Sequence, residues 1–296
     1  MSTSDLACAR NPPQAALEAS NRNGNTALAR AAYTNEVKVI ELLAARGAKL
    51  DARNQDGETP LGRAAGAGRT EAVSALLSLG ADAECVNKEG DSPLMQAALA
   101  GKDGPVAALL ARGASITRTN TRGNAALALA CCSGSLEATR HLLDAGANVE
   151  ARSKTGDTPL ALACWLGKAA IVRELVARGA NVNAAINDGR TPLILASERG
   201  HDEVVRLLCQ LMTQSAARPQ VPLALDAADS RGNTALHKAA RGGFSTVALI
   251  LLGAGAGRDA VNSRGRTALD EALVQPDLAL AALLRAGERS PASPAP

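Results

Sequence analysis

The sequence predicts an all-α solenoid, built from short helix–loop–helix units joined by β-hairpin-like finger turns. Three observations lead there. A glycine recurs every 33 residues, at Gly24, Gly57, Gly90, Gly123, Gly156 and Gly189; Gly232 follows after a step of 43, and Gly265 after another 33. A fixed period of this length marks a repeat architecture. Hydrophobic residues make up 46% of the chain, yet only Tyr33, Trp165 and Phe244 are aromatic. The buried surface must therefore come from close packing of Ala, Leu, Val and Ile, not from large rings. Finally, each stretch between period glycines carries the same order of turn, helix-start and helix-stop signals.

The fifth unit, from Ser153 to Asn183, shows that order. Gly156 ends a tight turn, where a positive φ is cheap only for glycine. Thr158 can cap the first helix, and Pro159 fills its first position, where a missing N–H costs nothing. The same pair recurs at Thr59-Pro60, Ser92-Pro93 and Thr191-Pro192. An Ala-rich helix then runs to a second glycine, Gly167. The second helix carries Ile171, Val172, Leu175 and Val176 at helical spacing and stops at Gly179-Ala180. The extended stretch Asn181-Val182-Asn183 leads into the next turn.

This grammar resembles the ankyrin repeat: the turn glycine, the T-P-L, the L-x-x-A/C core of the first helix, the paired apolar residues of the second, and the G-A-x-V-N ending. The Gly-Ala pair returns at Gly47-Ala48, Gly80-Ala81, Gly113-Ala114, Gly146-Ala147 and Gly255-Ala256. Eight units begin near residues 21, 54, 87, 120, 153, 186, 229 and 262. They define a single ankyrin-repeat domain over 21–288, with 1–20 as an N-terminal capping stub and 289–296 as a disordered tail. Close stacking of short helices explains the alanine, and each unit buries its apolar face only against its neighbours.

Departures from the pattern carry information. The fourth unit has Ala125-Ala126 in place of Thr-Pro, a lost cap worth about 1 kcal/mol, which makes it the expected weak point of the stack. The sixth unit lacks its Gly-Ala ending. It reads instead as a lengthened second helix followed by a Pro-bearing finger loop, an insertion of about 210–221. The eighth unit has Gln275-Pro276-Asp277 at its inter-helix position. Near the N-terminus, Ala15 to Ala19 align with the end of a preceding unit, and residues 4–10 are expected to form a stub helix.

No catalytic residue, cofactor site or metal set is expected. His237 and His201 fall on repeat positions and read as structural, while His141 reads as exposed on the fourth unit's second helix. Cys131 and Cys164 occupy equivalent Ala-like positions and read as small core filler. The run Gly253-Ala254-Gly255-Ala256-Gly257 suggests a phosphate loop but follows a helix C-terminus, where the dipole repels anions. The net charge of +3 and the absence of an aromatic platform speak against nucleic acid. No run of about 18 apolar residues suggests a membrane span. No basic-then-apolar leader is visible, and six cysteines without a C-x-x-C pair fit reduced thiols in a cytoplasm. The Ala-, Arg- and Gly-rich usage suggests a GC-rich bacterial source.

The resemblance implies a non-catalytic protein–protein interaction scaffold, acting as a monomer, for example a cytoplasmic adaptor or inhibitor. An alternative is a secreted bacterial effector acting on a host protein through the same groove. In ankyrin-like stacks the partner lies against the turn tips and the exposed side of the first helices. The positions carrying that role here are Tyr33, Leu99, Cys132, Trp165, Leu166, Glu198, Arg199 and Arg241. Leu99, Cys132, Trp165 and Leu166 form an apolar strip around a tryptophan, a residue enriched in binding hot spots. Glu198, Arg199 and Arg241 continue it with charge. Packing of the strip against neighbouring helices and finger loops is the competing reading. The turn tips drift from acidic (Asp56, Glu58, Glu89, Asp91) to basic (Arg231, Arg264, Arg266) along the chain.

Overall fold

The structure, a computed structural model, describes residues 14–214, 224–274 and 278–285. It divides into two compact units, 1–154 and 155–296, taken here one at a time. In the first, a short α1 (Gln14–Leu17) precedes four helix pairs. These are α2 (Ala27–Thr34) with α3 (Val37–Ala45), α4 (Pro60–Ala67) with α5 (Thr70–Ser78), α6 (Pro93–Leu99) with α7 (Asp103–Ala111), and α8 (Ala126–Ser133) with α9 (Leu136–Asp144). The second unit holds α10 (Pro159–Trp165) with α11 (Ala169–Ala177), α12 (Pro192–Glu198) with α13 (Asp202–Gln214), α14 (Ala235–Arg241) with α15 (Ser245–Gly253), and α16 (Ala268–Val274) with α17 (Leu278–Arg285).

Within each unit the first helices pack side by side in chain order, and the second helices form a layer behind them. Among the described residues no strand forms; the finger turns show only isolated bridges, Ser20 with Thr26 and Thr119 with Ala125. The core is the one the periodicity predicts. Leu28, Leu61, Leu94 and Leu127 occupy one repeated position and are all buried, with alanines such as Ala32, Ala65 and Ala98 letting the helices approach. Ile40, Val73 and Val106 seal the second layer.

The first helices are seven or eight residues long because both ends are specified. Hydroxyls cap them: Thr59 accepts from the Gly62 N–H at 3.2 Å, Thr158 from Ala161 at 3.1 Å and Thr191 from Ile194 at 3.3 Å. Ala125 takes the same extended backbone, φ −85° and ψ 168°, but offers no side-chain acceptor. Asn35 ends α2 in the left-handed region at φ 66°, where later units use glycine. Its side chain also works outward: Oδ1 accepts from the Ala72 N–H and Nδ2 donates to Glu71, both on α5 of the next repeat.

Finger turns are closed by an asparagine and tied to their neighbours by backbone. Asn54 Oδ1 accepts from the Asp56 and Glu58 N–H groups, each at 2.9 Å. The same side chain donates to Asn25 Oδ1 one repeat earlier at 3.0 Å. Single backbone rungs join successive turns: Gln55 N–H to Asn23 O at 3.1 Å, Lys88 to Asp56 at 3.0 Å and, in the second unit, Ser230 to Asp188 at 2.8 Å and Ser263 to Arg231 at 2.9 Å. Gly57 is fixed twice over: its φ is +77°, and a Cβ there would sit 3.0 Å from the Lys88 nitrogen. Gly80 has φ +95° but nothing within 4 Å, so only the end of the helix requires it.

Helix α13 runs 13 residues against nine in the second helices before it, as the missing Gly-Ala stop predicts. Most of the expected finger loop after it lies outside the described residues, as do residues 4–10, Gln275-Pro276-Asp277 and the 289–296 tail. His141, expected to be exposed, is half-buried on α9. The glycine run 253–257 lies at the C-terminal end of α15, starting with its last residue.

Candidate functional site

The eight singled-out side chains stand at the ends of first helices, where the repeat leaves them outside the core. In the first unit, Tyr33 near the end of α2 and Leu99 at the end of α6 are each 48% exposed. Cys132, near the end of α8, is half-buried. The Arg63 guanidinium of α4 lies 5.0 Å from the Tyr33 ring centroid and also pairs with Glu58 at 2.9 Å.

The second unit carries the densest arrangement. Trp165 closes α10 and is half-buried. It packs on Ala161 of its own helix, on Leu195 of α12 and on Ile186 of the adjoining finger turn. Arg199, at the C-terminal cap of α12, lays its guanidinium 3.7 Å from the ring centroid, and Arg190 stands at 5.4 Å. His201 pairs through Nε2 with the Trp165 carbonyl at 3.0 Å, and its ring fills the space that a Cβ on Gly167 would need. Leu166, beside the ring, is 38% exposed. The tryptophan is therefore both a surface feature and a packing element, so the two readings of the strip are not exclusive.

An ion-pair relay runs from this ring along the unit. Arg190 pairs with Asp188 at 2.8 Å and with Glu198 at 2.9 Å. Glu198 also meets Lys238 at 3.3 Å, and Lys238 meets Asp229 at 3.0 Å. These residues, with Ser230 and Arg231, line a polar cleft of about 270 Å³. Burial pushes against ionisation of Asp188, but the Arg190 contacts outweigh it and hold the carboxyl below its ordinary range. Burial likewise opposes charge on Asp229, and N–H groups of the turn together with Lys238 bring its pKa down. Glu198 thus belongs to this relay, whereas Arg241 stands exposed at the end of α14.

Ile186, Asp229 and Lys238 escaped the sequence reading, although a signal was there. Position 186 is Asn or Asp in six of the eight units, at Asn21, Asn54, Asn87, Asn120, Asp229 and Asn262. Position 190 carries Asn, Asp or Glu in the first five. The sixth unit thus trades the turn-closing asparagine for an apolar contact under Trp165, and an acid or amide for a cation beside it.

Among the described residues no group of three His, Cys, Asp or Glu could hold a metal ion, and no helix is long and apolar enough to cross a membrane. His237 is committed to structure: its Nδ1 accepts from the Thr234 N–H at 3.3 Å, completing a capping box, and its Nε2 meets the Arg266 carbonyl at 3.0 Å. Cys131 and Cys164 are buried, and burial pushes both thiols far above their ordinary pKa.

Family models agree with the geometry. The one described as ankyrin repeats in three copies matches residues 48–120, 63–153, 94–186 and 127–217. A many-copy model matches 217–272, and a single-repeat model matches 23–55. The chain belongs to the ankyrin repeat family. Among solved structures, the crystal structure of the human ASB11 ankyrin repeat domain is similar, with a TM-score of 0.70 and 28% identity, covering 79% of this chain and 100% of that one. No curated protein sequence matches. Ankyrin repeats are in general non-catalytic modules of protein–protein interaction.

Proposed function

We propose that this ankyrin repeat chain is a scaffold that binds a partner protein across the ends of its first helices and the finger turns beside them. One observation carries the reading. At the C-terminal ends of its first helices, at two adjacent repeat positions, the chain places Tyr33 and Leu99 at 48% exposure and Leu166 at 38%. Exposed apolar side chains that recur at the same helix ends are characteristic of interaction sites. The scaffold acts as a monomer, in a cytoplasm where its thiols stay reduced. Export as an effector would use the same face, and the compartment in which the partner is made distinguishes the two.

The test is co-purification from the native cell with Leu99→Glu and Leu166→Glu, one substitution in each unit. Both side chains are exposed, so the melting temperature should hold while a specific protein disappears from the captured set. An identical captured set with either variant would refute the assignment.

A further inference from the structure

Charge on the face of the second unit is unbalanced in a way that names the chemistry of a partner. The carboxylates there are already in use. Asp188 and Glu198 are taken by Arg190, and Glu198 and Asp229 by Lys238. Asp270 turns back onto its own helix, accepting from the Thr267 N–H at 2.8 Å and hydroxyl at 2.9 Å. Glu271 approaches Arg266 at 3.9 Å. Four exposed arginines remain with no carboxylate in ion-pair range among the described residues: Arg199, Arg241, Arg231 and Arg264.

Their placement is regular. Arg199 and Arg241 end α12 and α14, which pack side by side. Arg231 and Arg264 stand at the tips of consecutive finger turns joined by the Ser263–Arg231 rung. Arg199 is also pre-ordered, because its guanidinium rests on Trp165 at 3.7 Å, which lowers the entropy lost when it pairs with a ligand.

We propose that this face docks an extended acidic peptide segment of the partner protein, with carboxylates on these arginines and an apolar side chain against Leu166 and the exposed edge of Trp165. The proposal rests on the protein-binding reading above. Packed helices lie about 10 Å apart, and an extended chain advances about 3.3 Å per residue. A cation at each helix end therefore matches an acid at about every third residue. A nucleic-acid backbone fits less well: the face keeps five carboxylates among its arginines, and Arg199 covers the Trp165 ring that a base would need.

The test is a displayed library of random 12-residue peptides, panned on the full chain and on R199E/R241E, whose folding is verified by its melting curve. Selected peptides should carry Asp or Glu at three-residue spacing, shift the emission of the sole tryptophan, and bind roughly tenfold more weakly to R199E/R241E. Their affinity should also fall with added salt. Neutral peptides whose binding is lost with Leu166→Glu would overturn the acidic assignment and leave the docking face standing. Peptides indifferent to both variants would sink both readings. An empty selection, or tighter binding of a single-stranded thymidine 20-mer, would overturn the proposal.

Discussion

Replacing Ala125 by threonine should stabilise the first unit, and the gain can be worked out in advance. Ala125 holds φ −85° and ψ 168°, within a few degrees of Thr59 at −87° and 163°, so a threonine there needs no backbone change. Its hydroxyl would meet the Ala128 N–H, the counterpart of the Gly62 and Ala161 donors that Thr59 and Thr158 satisfy. A recovered N-cap is worth about 1 kcal/mol. If the described residues of the first compact unit unfold together, about 2.1 cal/mol/K of unfolding entropy per residue over roughly 140 residues makes that gain worth about 3 °C in melting temperature. Amide exchange should also slow across Ala126–Ser133 more than across α4 or α6. Ala125→Val supplies the control, since it has threonine's shape without the acceptor. Equal gains from Val and Thr, or no gain from Thr, would refute the view that a missing hydrogen bond weakens this repeat.

Three further outcomes follow from the second unit. Trp165→Ala removes packing on Ile186 and Leu195 and the stacking of Arg199; for a half-buried ring this should cost about 2 kcal/mol in urea unfolding followed by circular dichroism, and an unchanged midpoint would mean the contacts are idle. Ser197 is fully buried with a hydroxyl that has no partner, so Ser197→Ala should raise stability by about 1 kcal/mol, as a thermal melt would show; a loss would reveal a hydrogen bond at that hydroxyl. Asp188 and Asp229 have carboxyl pKa values held down in the folded state. Their stabilisation is therefore complete above the unfolded value of about 3.9 and is lost as pH falls through the folded values. Asp229→Asn keeps the turn acceptor that Asn54 and Asn262 supply elsewhere and should flatten the acid slope of Trp165-monitored stability, whereas an unaltered slope would place the acid sensitivity elsewhere.

Local chemistry is what made the fold legible. Thr-Pro caps, left-handed glycines and a 33-residue period each act within one repeat, so their meaning survives in one dimension. Even the defect at Ala125 was readable, because its neighbours define what is missing. The site was legible only in outline. Its positions follow from the repeat, but Trp165 meets Ile186, Arg190 and Arg199 across 21 to 34 residues of chain, and which of these side chains touch depends on packing. Departures from the chain's own consensus at 186 and 190 were the available clue. The turn tips were read only for the drift of their charge, which does not show which turn side chains pack on Trp165. Tyr33 was unreadable for a similar reason: its cation, Arg63, comes from the middle of the first helix of the next repeat, a position that carries no pattern of its own.

The rungs between finger turns make each repeat an interchangeable part. Every junction is made of the same atoms: one turn N–H on the carbonyl of the turn before it, with an asparagine reaching back at the junctions into Asn54 and Asn262. Excising residues 54–86 would bring Asn87 against Asn25 and Lys88 against Asn23, the partners that Asn54 and Gln55 hold now. A gene for such a chain can be shortened or lengthened in steps of 33 codons without disturbing any surviving contact of this kind, and a change of length inside one repeat is felt only at the junction that spans it: the Ser230–Asp188 and Ser263–Arg231 rungs both form although Gly232 follows Gly189 by 43 residues. The architecture confines a change in length to one junction, and its reach toward a partner can be retuned by counting units.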